Sequence, residues 1–512
     1  KYMETDFLKN QLIEEENMRK FLSLLLVCGL ATLCLAGCAS KTSSLAEQMF
    51  SFDGADDYYK NVEDHYTLNY DEMIYDDFTQ GIDKDRWVIG DSVWDQWGTD
   101  QNGVRPQNVF LLDDSDSEAH LLLRANGEFY SGAPLSSQID GYKTGAAIST
   151  VEALGPGRYE IRMKPMPRLG ALTSMWLFSW FEQNDGSVQQ NEIDIEIGIQ
   201  PNFDLVSFTT WTSPDTNTNR NVEMDYMVND GNWHTYSFDW VTDAEIPYVD
   251  YFVDGKLVYT STANVPTTNA TLSIGIWVPC WAGGGEADSN NISNGSRMFD
   301  SDYAEISWFR YIPFSMGNWE QRPVTNRPSD ATFEPTLLTK MPVVNKAANG
   351  DFEQPDESYE HGDGVTTQYV YPWMEYMTDT EDTTAIVQDP DNSANHVAQV
   401  NGDQLFGQWL RGSGNGYTYR LTGRYKATNG ASAQFSYSRV IGYATTSGSA
   451  GMVQLPIGDS TTWTEFDITF TVNNRDESSL TKSIRYYLDN GTDTGTVYFD
   501  DISLVYLGLN AA

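Results

Sequence analysis

The chain has 512 residues, with 31 Lys and Arg against 73 Asp and Glu, giving a formal charge of −42. That balance excludes a general basic surface for nucleic acid or anionic lipid, because bound phosphates need clustered cations, while the length allows two or more domains with sizeable cores. Disorder, the other common meaning of acidity, is excluded by a 13% aromatic content that includes 15 Trp, 29 Tyr and 23 Phe.

At the start of the chain, Met18-Arg19-Lys20 precedes an apolar run from Phe21 to Leu35. The run is too short to span a bilayer comfortably and has the length of a secretory-signal core. It ends in Leu35-Ala36-Gly37-Cys38, which resembles the lipobox of bacterial lipoproteins. The resemblance implies cleavage before Cys38, lipidation of Cys38, and an exported protein held at the outer membrane, cell surface or periplasmic face. The expected layout is an upstream, non-native extension over 1–17, a signal peptide over 18–37 and a tether over 38–65. Cys28 and Cys34 leave with the signal, and a lipidated Cys38 leaves Cys280 without an intrachain partner, so no disulfide framework is predicted.

After Phe50, short runs rich in Val, Ile, Tyr, Trp and Thr alternate with Asp, Asn, Ser and Gly joints, the pattern of many β-strands separated by turns. Arg158–Lys164, Glu192–Gly198, Thr235–Trp240, Tyr248–Tyr259 with its Asp254-Gly255 turn, and Ala304–Tyr311 are examples. The spacing predicts an all-β protein made of sandwiches or jelly rolls. A Pro-rich stretch holding Pro323, Pro328, Pro335 and Pro342 reads as a linker over 317–345, between a first β-domain at 66–316 and a second at 346–508.

Within the first domain, Glu192-Ile193-Asp194-Ile195-Glu196 alternates so that a strand presents three carboxylates on one face and both isoleucines on the other. Like charges this close raise one another's proton affinity, so the set must be solvated, metal-bound or used chemically. Taken alone, the pattern fits a solvated strand face. Metal is a weaker explanation, since neither His nor Cys accompanies the acids.

The flanking sequence reverses that reading. The chain resembles family-sixteen glycoside hydrolases of the lichenase and laminarinase type, whose signature is Glu-x-Asp-x-Glu on a strand lining the cleft of a concanavalin-like jelly roll. The resemblance is carried by Tyr142-Lys143-Thr144-Gly145, Gly157–Lys164 and Gly170–Trp176 before the motif, and by Trp233-His234-Thr235-Tyr236, Trp240 and Tyr251–Lys256 after it. It implies Glu192 as nucleophile, Glu196 as acid/base and Asp194 as the partner that tunes them. It also implies retention of configuration and no catalytic cofactor. Retention needs carboxyls about 5–5.5 Å apart, whereas four residues of strand separate Cα atoms by roughly 13 Å, so the side chains must lean together or the strand must bend.

Sugars present apolar faces and a rim of hydroxyls, so a cleft should combine aromatic platforms with fixed polar groups. The resemblance places Trp176, Trp211 and Trp277 near substrate, and Arg105 and Asn108 beside the sugars on the non-reducing side. Trp94, Trp97 and Trp281 align too loosely to be assigned, and Trp233, His234 and Trp240 read as packed structural residues.

In the second domain, Asn349–Glu353 and Val497–Leu504 resemble the terminal strands of carbohydrate-binding β-sandwiches of families four, nine and twenty-two. That resemblance implies a structural calcium, with Glu353 and Asp500 as candidate ligands. Tyr369, Tyr371, Trp373, Tyr376 and Trp409 are candidates for a sugar platform. The expected whole is a monomeric surface lipoprotein, touching the membrane through its lipid anchor only, that cuts β-1,3 or mixed β-1,3/1,4-glucan internally. The rival substrates are agar-like or host galactans. The rival class is a non-catalytic surface glycan-binding protein, against which the intact acid set speaks.

Overall fold

The computed structural model describes residues 68–511 apart from 98–99, 128, 133–143, 167, 169–170, 199–203, 280–298, 324–332, 354–358, 361–365, 368–372, 377–384, 403, 442–448 and 474–480. The upstream extension, the signal peptide, Cys38, the rest of the tether, Cys280, Trp281, Tyr369 and Tyr371 lie outside the described residues. The described chain falls in one compact unit, Asn61–Ala512.

Its strands are β1 (Ile74–Asp76), β2 (Trp87–Ile89), β3 (Ser92–Trp97), β4 (Asp100–Val104), β5 (Val109–Leu112), β6 (Leu121–Asn126), β7 (Thr144–Leu154), β8 (Gly157–Lys164), β9 (Leu172–Glu182), β10 (Val188–Ile197), β11 (Leu205–Ser213), β12 (Thr216–Glu223), β13 (His234–Val241), β14 (Tyr248–Val253), β15 (Lys256–Ser261), β16 (Ala270–Trp277), β17 (Ser301–Pro313) and β18 (Thr336–Leu338) in the first half. The second half adds β19 (Tyr359–Glu360), β20 (Thr366–Thr367), β21 (Met374–Tyr376), β22 (Ala385–Asp389), β23 (Asn392–Asn401), β24 (Leu405–Arg411), β25 (Tyr417–Thr428), β26 (Ala433–Ile441), β27 (Ser449–Gly458), β28 (Thr464–Thr471), β29 (Thr481–Asn490) and β30 (Thr496–Leu509).

The first half is a jelly roll of two sheets, ordered β12-β11-β10-β9-β16-β7-β4-β3 and β15-β14-β13-β8-β17-β6-β5-β18, with β2 and β1 attached to β7 and β17. Period-two alternation decides which face each strand buries. On β10, Ile193, Ile195 and Ile197 enter the core with Met175, Leu177, Phe208 and Ile274, so the acids between them must face outward. The Asp254-Gly255 turn between β14 and β15 has both residues at positive φ, 49° and 74°, as a tight two-residue hairpin demands.

The second half is a sandwich of β21-β24-β29-β26-β27 on β22-β23-β30-β25-β28. Trp373 is fully buried between Phe352, Phe406 and Tyr486, with its indole N–H on the Asn349 carbonyl at 2.9 Å. It is therefore a core residue and not a sugar platform. The two outer faces of this sandwich differ in chemistry. One carries ion pairs across strands, Arg420–Asp467, Arg424–Asp500 and Lys426–Asp391. The other carries Trp409 under the Arg485 guanidinium at 4.3 Å, Tyr487 bonded to Ser438, and Asp489 accepting from Ser436 and Gln434.

The stretch expected to be a linker does not hang free. Thr336–Leu338 adds to the edge strand β5 in parallel, and Asn345 bonds to the backbone of Ile502 and Leu504. An open sheet edge offers unpaired backbone groups, which β18 satisfies. The two sandwiches also touch directly. Met227 packs against both cores, the Asn229 amide donates to the Gly412 carbonyl at 2.8 Å, and the Tyr506 hydroxyl donates to the Asp230 carbonyl at 2.6 Å. Beside this joint, Asp302 takes Arg168 at 2.8 Å together with Lys346.

Candidate active site

Strand β10 lies between β9 and β11, and its register sets the neighbours of each acid. Glu192 stands opposite Phe178 and Trp211, Asp194 opposite Trp176 and Thr209, and Glu196 opposite Ser174 and Ser207. The next strand on the β9 side brings Ser273 level with Trp176 and Gly275 level with Ser174. A Cβ at Gly275 would come within 3.0 Å of the Trp176 ring, so the missing side chain makes room for that indole in the floor of the cleft.

The result is a cleft of about 900 Å³ that holds all three acids with Trp94, Trp176, Phe178, Trp211 and Trp277. Trp94 meets Trp176 and Trp277 edge-on, with ring centroids 5.7 Å and 5.1 Å away, an arrangement aromatic quadrupoles favour. Asn217 and Asn219 from β12 and Ser149, Ser174, Thr209 and Ser273 supply hydroxyls and amides. Among the described residues lining the cleft there is no Lys, Arg or His.

Without cations nearby, burial dominates the acids. It pushes Glu192 up to about 7, against hydrogen bonds from Gln190 and Asp194 that favour its charged form. Burial and the Glu192 charge push Glu196 up to about 8. Asp194 is raised well above the usual carboxylate range by burial and by both glutamates, although the Trp211 indole N–H donates to its Oδ2 at 3.1 Å. Glu192 therefore ionises before Glu196, and Asp194 keeps its proton and donates to Glu192. One carboxylate beside one carboxylic acid is the pair that acid-assisted nucleophilic substitution requires.

Of the residues expected at the site, Glu192, Asp194, Glu196, Trp176, Trp211 and Trp277 come together here. Arg105 and Asn108 do not. Asn108 is fully buried, donating to Thr144 and the Gly145 carbonyl and accepting from Arg124. Arg105 is only 3% exposed and donates to the carbonyls of Ser92 and Val104. The helical turn Pro106–Asn108 tucks both inward, so they brace the cleft wall from behind.

Glu353 and Asp500 do not fit a calcium. Glu353 accepts from the His396 backbone and ring, while Asp500 accepts from Asn395, Arg424 and the Asp501 backbone. An arginine on the same oxygen that would bind the ion opposes it. Among the described residues, no three of His, Cys, Asp and Glu gather to hold a metal.

His234 is structural, as expected, clamped between Asp254 at 2.7 Å and Asp230 at 3.4 Å and stacked on Tyr226. Burial lowers its proton affinity, but the two aspartates outweigh burial and raise it to about 9. Trp240 is fully buried and donates to the Pro266 carbonyl. Sequence reasoning left Trp94 unassigned and did not single out Phe178, Asn217, Asn219 or Gln190. The alternation that exposes Glu192 also exposes Gln190, and that signal was available.

Residues 108–304 match the family model described as glycosyl hydrolases family 16. Similar curated proteins include a beta-glucanase of Paenibacillus macerans, 28% identical over 207 residues, spanning 40% of this chain and 75% of that protein. The beta-glucanase of Bacillus subtilis strain 168 is 30% identical over 162 residues, 32% of this chain and 60% of that one. Among solved structures, a Bacillus licheniformis beta-glucanase is 21% identical, spans 47% of this chain and 97% of its own, and has a TM-score of 0.34.

Proposed function

Because residues 108–304 form a glycosyl hydrolases family 16 domain, we propose that the chain is a retaining endo-glucanase acting on β-1,3 or mixed β-1,3/1,4-glucan. The observation that carries this reading is the set of three carboxyls on one strand face, without a cation partner among the described residues, in a cleft walled by indoles. The Glu192 carboxylate attacks the anomeric carbon while Glu196 gives its proton to the departing glycosidic oxygen. Glu196 then takes a proton from the water that hydrolyses the glycosyl-enzyme. Asp194, held by Trp211, donates to Glu192 and keeps it the more acidic of the two glutamates. A cleft whose described lining residues include no Lys, Arg or His suits a neutral glucan better than a sulfated galactan. The beta-glucanases it resembles support the same choice.

Two further parts belong to this reading. The Leu35–Cys38 motif supports export and a lipid anchor at the cell surface. In the second sandwich, we assign glycan binding to the face that carries the half-buried Trp409, Arg485 and Gln434, with Tyr487 and Ser438 buried beneath them. The test is product analysis on laminarin, lichenan, xyloglucan, agarose and porphyran, following the anomer first released. Oligosaccharides from laminarin or lichenan, released as the β-anomer, are expected. Cleavage of agarose or porphyran alone would overturn the substrate, and release of the α-anomer would overturn the mechanism.

A further inference from the structure

Gln190 lies two residues before Glu192 on β10, so both side chains leave the same face of the strand. Its carboxamide N–H donates to Glu192 Oε2. Across the strand pair it faces Trp180, whose ring stacks on Phe178 at 6.5 Å and 28°, so an aromatic strip continues past the acid row beside the bond. We propose that Gln190 is a positioning residue for the nucleophile: it fixes one oxygen of Glu192 and favours the carboxylate over the acid. This rests on Glu192 being the nucleophile.

A hydrogen bond from a neutral donor stabilises the charged form of its acceptor more than the neutral form, and here it works against the burial that holds Glu192 at about 7. The titratable groups facing Glu192 are Asp194 and Glu196 on its own strand. Strands β9 and β11 present Trp176, Phe178, Thr209 and Trp211, none of which titrates. Tyr251, packed behind β11 with its hydroxyl on the Thr209 carbonyl, stays protonated. Losing the Gln190 donor therefore leaves Glu192 with two acidic neighbours and the Asp194 hydrogen bond.

The experiment is the pH dependence of kcat/KM for full-length Gln190→Leu and Gln190→Met on whichever of lichenan and laminarin the native protein cuts. Gln190→Met keeps the length of the side chain and removes the N–H, so it serves if Gln190→Leu fails to fold. Both should move the acidic limb up by about one pH unit and lower kcat/KM about tenfold below that limb. The alkaline limb, set by Glu196, should stay in place, and KM should change less than kcat. A uniform fall at every pH, or Gln190→Met with a native profile, would overturn the assignment. Glu192→Gln, run alongside, separates the two readings. If it is inactive while the Gln190 variants keep the native limb, only the positioning role fails. If it stays active, the nucleophile reading fails as well.

Discussion

Asp194 in the cleft and Asp302 at the joint between the sandwiches are almost equally buried, 4% and 3% exposed, yet their proton affinities move in opposite directions. Burial alone would raise both. At the joint, Lys346 and Arg168 more than offset it and hold Asp302 below the usual carboxylate range. Burial brings Lys346 itself down to about 8 even with Asp302 beside it, so it remains charged near neutrality. In the cleft, the neighbours of Asp194 are two more carboxyls and one indole, so it rises with them. The paired acid secures a contact between two bodies. The unpaired acids destabilise the fold and provide reactive groups, the usual exchange at an active site.

Removing the reactive carboxylate is the strongest way to press this contrast. Glu192→Gln should lower kcat by about three orders of magnitude or more, and a variant keeping over about a tenth of native turnover would reject the assignment. The same variant should be more stable at pH 8 than the native protein, with the gap closing toward pH 4. A carboxyl whose proton affinity is raised on folding contributes stability at low pH and loses it as pH climbs through the folded value, here about 7 for Glu192.

The joint should answer in the other currency, stability without chemistry. Asp302→Asn leaves two cations buried without their carboxylate and should lower the free energy of unfolding by about 3–5 kcal/mol, while kcat at 25 °C stays near native. Denaturant titration checks the first half and steady-state kinetics the second. The native contribution of Asp302 has the opposite pH sense to that of the cleft. It is present above the unfolded carboxylate value and fades as pH falls through the lower folded one.

Trp211→Phe should have a smaller effect, since it keeps the ring and removes only the donor to Asp194. A loss of about 0.5–1.5 kcal/mol in transition-state stabilisation, read as kcat/KM, is expected for a bond to a carboxyl that keeps its proton. An unchanged rate would leave Trp211 as a sugar contact only. The subtlest signature is the native pH profile. Activity needs Glu192 ionised and Glu196 protonated, so kcat/KM should rise through about 7 and fall above about 8.

How legible each feature was in the sequence depends on how local its cause is. Glu192, Asp194 and Glu196 owe their shared face to alternation within five residues, and Trp176 and Trp211 join them through strands on either side. Asn108 owes its position to Arg124, Asn126 and Thr144, whose approach only the folded chain reveals, and so it looked like a sugar contact. Trp373 was misread for a related reason: an aromatic run looks the same whether it faces a ligand or, as here, Phe352 and Phe406. The Pro-rich stretch lacked the alternation of a buried strand, yet three of its residues found an open edge at β5.

Glu192→Gly offered azide tests the central claim most directly. Removing the carboxylate leaves space beside the anomeric carbon on the nucleophile's face, and Glu196 still stands ready to protonate the leaving oxygen. Azide should restore turnover and yield a glycosyl azide of inverted, α configuration, the product of one displacement where the native protein uses two. A rescued product with retained configuration would place the nucleophile on another residue and contradict the account.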